Sequence, residues 1–372
     1  MTILSPDYAI RSTENLDSPA LLVFPALVRE NIRTAVRLAG SPERLRPHIK
    51  TAKSPALADL LLQAGITRFK CATIAEAEML AAAGAADVLL AYQPVGPKLT
   101  RWRQVVRRFP ATRFACLTDH AAAAAAIAAT FHSQGMAADV YIDLNTGQHR
   151  TGLPVPQATD LVRAILSYPG IRLVGLHAYD GHVRHPDAGQ RALDCDAAFE
   201  PAYQLYRRLA AEQPLRPLVV GGSPTFPLHA RREGPLECSP GTFVYWDHGY
   251  GTLCPEIPFR PAALLLTRVI SLPAADLICL DLGHKSVAAE NDLSRRVFFP
   301  QHPSLVPVSQ SEEHLVVSTG NSGHSFRPGD TLLGIPWHIC PTVALYERMP
   351  AIEEGHAKAY WKNTARDRYL TI

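Results

Sequence analysis

From about residue 43 to residue 247, short apolar segments alternate with helical patterns, and this alternation constrains the fold more than any other feature of the chain. Repeated strand-then-helix units are what a parallel sheet requires, because each crossover must carry the chain back to the same end of the sheet. In order, the strand candidates are RLRPHIK, RFKCAT, DVLLAYQ, TRFACLT, ADVYIDLN, RLVGLHAY, RPLVVGG and a last one near ECSPGTFVYW. Between them lie PALADLLLQAG, AEAEMLAAAG and ATDLVRAILSYPG, each closing with Gly, a residue favoured just past a helix. Eight such units predict a TIM (β/α)8 barrel, whose chemistry sits at the carboxyl ends of its strands. The alanine run HAAAAAAIAATFH falls where an outer helix belongs and reads as scaffold, alanine being the best helix former.

After Pro258 the pattern changes. RPAALLLTRVISL, DLICLDLG, EHLVVST and DTLLGIPWHICPTVALYE read as strands parted by Pro, Gly, Asn and Ser, which predicts a second, mainly β domain. The early piece SPALLVF precedes the barrel and can pair with that domain. The expected division is an N-terminal strand in 1–25, a barrel in 26–257 and the β domain in 258–372. A length of 372 residues fits two domains at roughly 150 residues each.

Composition removes several classes of function. Lys plus Arg number 37 against 34 Asp plus Glu, with no long basic block, so nucleic-acid binding has no electrostatic support. No uncharged run reaches the length of about 18 residues that a membrane-spanning helix needs. The first residues show neither a basic segment leading an apolar block nor an Arg/Ser-rich amphipathic pattern. Seven scattered cysteines with no C-x-x-C pair suit reduced thiols, and the expectation is a cytoplasmic protein.

Two lysines stand three apart in RPHIKTAK. Lys50 ends the first barrel strand, where a desolvated amine becomes a nucleophile able to form a Schiff base. A rim lysine in a salt bridge fits the same position. VVGGSPT follows strand seven and SPGTFVYW contains a second Gly-Thr turn at strand eight, the place where barrels commonly hold a phosphate. Glycines let backbone N–H groups approach it, and hydroxyls add donors. Lys50 with these turns suggests pyridoxal phosphate, its aldehyde on Lys50 and its phosphate on Gly222, Ser223, Thr225, Gly241 and Thr242.

The motifs RPHIKTAK, GQHRTG, GLHAYDGH, GGSPT, CSPGT and WHICPT occur here in the order in which one family carries them. The chain resembles the D-threonine aldolase and D-serine dehydratase group of fold-type III pyridoxal-phosphate enzymes, relatives of alanine racemase, from LDSPALLV to TARDRYLTI. FKCATIAEAEMLAAAG, LLAYQPVGP and HICPTVALYE sit nearest to low-specificity D-threonine aldolase in wording. The resemblance implies that Lys50 is the Schiff-base lysine and that Lys53 is structural. It further implies that Arg150 lies near the cofactor's phenolic oxygen, with a strand-end ion pair as the alternative, and that Tyr179 lies beside the cofactor ring. His177 shares a side of its strand with Tyr179 and equally suits a hydrogen-bonded core histidine.

WHICPT places His338 and Cys340 two apart, and on a strand both would leave the same face and suit two ligands of one metal. Imidazole with thiolate favours Zn²⁺, whereas a carboxylate in the second place would favour Mn²⁺. Without the resemblance, an H-x-C reads as a buried cysteine near a packed histidine. Better known aldolases of the group carry Asp where this chain has Cys340, and the dehydratases carry Cys. Ala52 and Gln148 also depart from the group's usual residues. The resemblance implies a homodimer that splits a D-3-hydroxy amino acid into glycine and an aldehyde. The alternatives are dehydration to a 2-oxo acid and ammonia, racemisation, and a non-catalytic pyridoxal-phosphate-binding protein.

Overall fold

In the computed structural model, which describes residues 5–320 and 324–372, the chain divides into two compact units. One comprises Ala35–Lys50, Leu57–Gly241 and Asp367–Ile372; the other comprises the segment up to Thr34, Thr51–Ala56 and Thr242–Arg366. Lys50 and Lys53 therefore belong to different units, as do Gly241 and Thr242.

Among the described residues the first unit holds a path of seven parallel strands in chain order, Arg68–Cys71, Asp87–Leu90, Arg113–Thr118, Ala138–Asn145, Ile171–Tyr179, Leu218–Val220 and Leu236–Cys238, with the short Leu153–Pro154 also pairing in parallel with Ala138–Asn145. The eighth expected strand, RLRPHIK, is reduced to bridges. Leu45 pairs in parallel with Cys238 on one edge and His48 pairs with Lys70 on the other, so this segment closes the ring. Arg46 N–H donates to Cys238 O at 2.8 Å, and Lys70 N–H donates to Pro47 O at 2.9 Å. The ladder cannot run further because Pro47 has no N–H to give. Near ECSPGTFVYW only Leu236–Cys238 is strand; a single 3-10 turn follows at Thr242–Val244.

Side chains that alternate inward form layers. At the amino ends of the strands Arg46, Arg68, Asp87, Asp139, Arg216 and Glu237 make a network of ion pairs. Leu89, Ala115, Leu117, Tyr141 and Val219 form an apolar cluster above it. Tyr141 fits because residue 175 is Gly: a Cβ there would come within 2.4 Å of its ring. Polar side chains reappear toward the carboxyl ends, where Lys70, Asp143, His177 and Tyr179 lie. The alanine run forms the helix Ala121–His132, and Ala124, Ile127, Ala128 and Phe131 bury one face at the spacing a 3.6-residue turn dictates. Gly170 adopts φ +82°, and a Cβ there would stand 2.6 Å from Ala128 O, so no other residue ends the preceding turn as well.

The second unit is mainly β. Ala20–Val23 pairs antiparallel with Ala263–Ala274 and parallel with Arg348–Glu353, and the sheet continues through Leu277–Leu280, Leu315–Ser318 and Val306–Gln310. Thr331–Pro336 lies on the other side of Ala263–Ala274. The expectation that WHICPT continues this strand is not met: the strand stops at Pro336 and a helix runs from Ile339 to Leu345. His338 is its N-cap with extended backbone, and Pro341 falls in the first turn, where its missing N–H has no helical partner to lose. Among the described residues no helix is long and apolar enough to cross a membrane.

Candidate functional site

In the barrel unit Lys50 lies in the 3-10 turn Ile49–Thr51, directly after the segment that closes the ring. Its side chain is partly exposed and, among the described residues, forms no ion pair or side-chain hydrogen bond; its backbone N–H donates to His48 Nδ1 at 3.4 Å. The salt-bridged rim lysine is thus absent from this arrangement. Arg150 is exposed and likewise has no ion pair; its guanidinium carbon stands 5.1 Å from the centroid of the Tyr179 ring. Two cations left unpaired at one end of a barrel suit an anionic ligand.

Tyr179 ends its strand, and Gly222 packs against it. A Cβ at Gly222 would come within 3.0 Å of the ring, and Gly181 is tighter still at 2.4 Å. The GGSPT turn is built from behind. Gly221 takes φ +74°, a conformation that glycine adopts freely. Gly222 N–H donates to Thr225 Oγ1 at 3.1 Å, and Thr225 Oγ1–H donates to Asp180 Oδ1 at 2.8 Å. The Thr225 hydroxyl, expected to face a phosphate, is thereby occupied in shaping the turn. His229 Nε2 lies 2.7 Å from the other oxygen of Asp180. Burial raises the pKa of Asp180, but the hydrogen bonds and charge from His229 and the bond from Thr225 outweigh it and hold this carboxyl below its ordinary value. Gly241 N–H donates to Ser223 Oγ at 3.3 Å, which ties the two glycine turns together.

Asp180, Cys195 and His229 also form the one group of three potential metal-ligating side chains found among the described residues, all of them buried. Burial and the Asp180 charge push the Cys195 thiol up to about 12, and Arg232 Nη2 lies 3.8 Å from its sulfur. With Asp180 already bonded to His229 and Thr225, the cluster serves as the brace of the GGSPT turn.

Sequence reasoning missed Lys70 and Asp143. Lys70 Nζ lies 3.2 Å from His177 Nε2, and His177 Nδ1 lies 2.7 Å from Asp143 Oδ1. Burial pushes Lys70 down to about 7, helped by the charge of Lys50. His177 is lowered by burial and then by the charge of Lys70, with Asp143 opposing. The available signal was a lysine in the centre of RFKCAT at an inward position, two residues from Arg68.

In the second unit His338 and Cys340 stand at the start of the helix Ile339–Leu345, near enough for the thiol to favour the charged imidazole. The helical turn brings them together, not strand alternation. His338 Nδ1 lies 2.6 Å from Glu290 Oε1, a carboxylate that orients the ring and leaves Nε2 as the nitrogen a metal could take. The Cys340 sulfur is 3.1 Å from Thr51 Oγ1 and 3.5 Å from Thr242 Oγ1. Thr242, expected at the phosphate, thus contacts the cysteine. Burial lowers the pKa of His338, but the Cys340 thiol together with Asp247 and Glu290 raises it, to about 9. Asp247 Oδ2 accepts the Ile339 N–H at 3.1 Å, and Thr342 Oγ1 donates to His338 O at 2.9 Å, so the turn is held on both sides. Replacing Glu290 by Gln is expected to weaken Zn²⁺ binding by about 10–100-fold, the usual effect of losing the carboxylate behind a ligating histidine. Competition against a chromogenic chelator measures it, and an unchanged affinity would show that Glu290 does not support a ligand.

A family model for the alanine racemase N-terminal domain matches residues 25–248, and one for a putative serine dehydratase domain matches residues 262–352. The D-threonine aldolase of Arthrobacter sp. is 28% identical over 366 residues, covering 94% of this chain and 93% of that protein. The D-threo-3-hydroxyaspartate dehydratase of Delftia sp. (strain HT23) is 33% identical over 380 residues, covering 93% and 97%. Its solved structure superposes with a TM-score of 0.79 at 27% identity over 94% of this chain and 98% of that one. A D-threonine aldolase structure from Filomicrobium marinum gives a TM-score of 0.86 at 25% identity, covering 94% and 95%. For the Delftia dehydratase, structures also exist of a histidine variant and of a cysteine variant two positions further on, the latter in a metal-free form.

Proposed function

We propose, from the premise that the chain belongs to the family of the alanine racemase N-terminal domain and carries a putative serine dehydratase domain behind it, that it is a pyridoxal-phosphate- and divalent-metal-dependent D-threonine aldolase. It would split D-3-hydroxy amino acids into glycine and an aldehyde. The observation that carries this reading is the Lys50 amine, which among the described residues has no ion-pair partner, at the end of the segment that closes the barrel.

The residues present fit the cofactor. An amine without an ion-pair partner is what an aldehyde requires, and a glycine turn pressed against Tyr179, where a side chain at residue 222 would meet the ring, leaves backbone to face a phosphate. When bound, pyridoxal phosphate supplies an electron sink for negative charge at Cα. Lys50 holds it and, once displaced, is the group that moves a proton at Cα. Arg150 offers a fixed positive charge beside Tyr179. Ser223 and Gly241 keep the two glycine turns in register.

The metal also fits. His338 has its Nδ1 engaged by Glu290, Cys340 has hydroxyl partners in Thr51 and Thr242, and imidazole with thiolate suits Zn²⁺. The spacing of the histidine and cysteine variants in the Delftia dehydratase matches that of His338 and Cys340, which supports their reading as ligands. The metal would supply Lewis acidity to a hydroxyl bound to it.

A second reading rests on a specific residue. Cys340, together with 33% identity to a dehydratase, supports loss of water from the same substrates to give a 2-oxo acid and ammonia. The test is to incubate the protein with D-threonine, pyridoxal phosphate and either Zn²⁺ or Mn²⁺ and identify the products. Acetaldehyde and glycine are expected. Recovery of 2-oxobutanoate and ammonia would replace the first reading by the second. Loss of turnover on chelation, with the cofactor's absorbance retained, would exclude a non-catalytic carrier.

A further inference from the structure

Arg150 is exposed and has no ion pair among the described residues, yet its guanidinium stands over the Tyr179 ring. A long side chain without a charged partner keeps much rotamer freedom, so its aim has to come from the backbone that bears it. The strands Ala138–Asn145 and Ile171–Tyr179 stay paired to their last residues, which sets Asn145 opposite Tyr179. The chain leaves the sheet at Asn145 and returns at Leu153–Pro154, where Pro154 pairs with Asn145 itself. Residues 146–152 therefore form a loop closed at its base. Thr146 Oγ1–H donates to Tyr179 O at 2.8 Å, and Gly152 N–H donates to Asp119 Oδ2 at 2.8 Å. Gly152 has φ +91°, and a Cβ there would stand 2.6 Å from the Asn145 nitrogen.

Inside the loop the organising side chain is Asn145. Its Oδ1 accepts the Gly147 N–H at 3.0 Å and the His149 N–H at 3.2 Å. With Oδ1 so engaged, Nδ2 faces the His149 ring and donates to Nδ1 at 3.0 Å. His149, the residue directly before Arg150, has φ +55°. A residue with a Cβ holds this left-handed conformation only where its surroundings impose it, and such strain gathers at sites that must be set in advance.

We propose that Asn145 is a positioning residue of the site: by holding the His149 backbone left-handed it aims Arg150 at Tyr179. Were His149 to relax to an ordinary φ, the chain after it would turn away, and an exposed arginine has no other restraint among the described residues to bring it back. Setting the arginine beforehand reduces the freedom that it loses when an anionic group binds. His149 serves here through its backbone. Asn145 touches neither substrate nor cofactor and acts through Arg150, so its value to turnover rests on the cofactor reading above.

The test has a cofactor-free arm and a holoenzyme arm. Without cofactor, amide hydrogen exchange at Gly147 and His149 is expected to quicken about tenfold in Asn145→Ala, as each N–H loses its acceptor. The HN–Hα coupling of His149 should leave its left-handed value in the same variant. Asn145→Asp keeps the accepting oxygen and should restore both. Exchange and coupling that are indifferent to Asn145→Ala overturn the proposal. In the holoenzyme, Asn145→Ala should lower kcat on D-threonine by about tenfold or more, since a misplacement of about 1 Å can cost about 10²-fold. In an Arg150→Ala background the same change should cost less than about twofold, the non-additivity of residues that act as a unit. Full additivity would place the effect of Asn145 elsewhere and refute its action through Arg150. His149→Val, whose branched side chain disfavours a positive φ, should lose more kcat than His149→Gly, which adopts it freely. The reverse order overturns the backbone role. If the unmodified protein neither binds pyridoxal phosphate nor turns over D-threonine, the cofactor reading fails, and exchange at Gly147 and His149 alone decides whether Asn145 holds the loop.

Discussion

Lys50→Ala is expected to reduce the turnover of D-threonine by at least about 10²-fold, the lower end of what a positioned acid–base group contributes, while the protein stays folded. Two structural facts make this separation of effects a firm expectation. The Lys50 side chain is only partly buried and has no ion pair or side-chain hydrogen bond among the described residues, so truncation leaves no partner stranded. Its backbone stays fixed by the N–H bond to His48 and by the neighbouring bridge from His48 to Lys70. Loss of the amine should also abolish borohydride-stable attachment of pyridoxal phosphate at this position. Circular dichroism, peptide mass mapping after reduction, and product assay together check the prediction. A variant that retains turnover within threefold of the parent would remove Lys50 from the chemistry.

The barrel was legible because its signal is periodic. Alternating strand and helix patterns located seven strands of the sheet but not the two-residue Leu153–Pro154 at its side, and three of the helices between them ended near glycines as read. The one reduced strand fails for a local reason: Pro47 interrupts the ladder, although the segment still reaches both neighbours. WHICPT misled because a short apolar run fits a strand or a helix start equally well, and the helix that begins at Ile339 was too short to show a 3.6-residue period. The pair His338 and Cys340 nevertheless meets, since an N-cap and the second residue after it lie on one turn. Thr225 and Thr242 illustrate a different limit. A hydroxyl in a glycine turn reads as a donor to a ligand, and its protein partners are not legible from sequence: the Asp180 that accepts from Thr225 lies 45 positions away, and the Cys340 near Thr242 lies 98 positions away. Lys70 escaped for the same reason: its partners His177 and Asp143 sit on other strands, and only barrel closure brings them to it.

Arg46→Ala is expected to have the largest effect on stability, about 3–5 kcal/mol, because it strips one partner from buried charges. Arg46 is fully buried on the segment that closes the barrel. Its Nε lies 2.5 Å from Glu237 Oε2 and its Nη1 lies 2.6 Å from Asp87 Oδ1, so one guanidinium joins the strand Asp87–Leu90 to the last strand, Leu236–Cys238. Burial works against its charge, but the two carboxylates outweigh this and raise its pKa. Truncation would leave Glu237 to Arg68 and Asp87 to Arg216, at 2.8 Å and 3.4 Å, both from the partly exposed side of the network. A loss of this size is a large share of the roughly 5–15 kcal/mol that holds a typical domain together. Arg46→Met should cost nearly as much, since the carboxylates remain, whereas replacing Arg46, Asp87 and Glu237 together by apolar residues of similar volume should recover most of it. Urea unfolding midpoints followed by barrel fluorescence measure all three proteins. If Arg46→Ala costs less than about 1 kcal/mol, the value of an exposed pair, the network does not close the barrel. The same comparison bears on function, because the segment that Arg46 anchors ends four residues later at Lys50: a variant with a loosened ring should lose cofactor affinity before it unfolds, and the triple replacement should regain both.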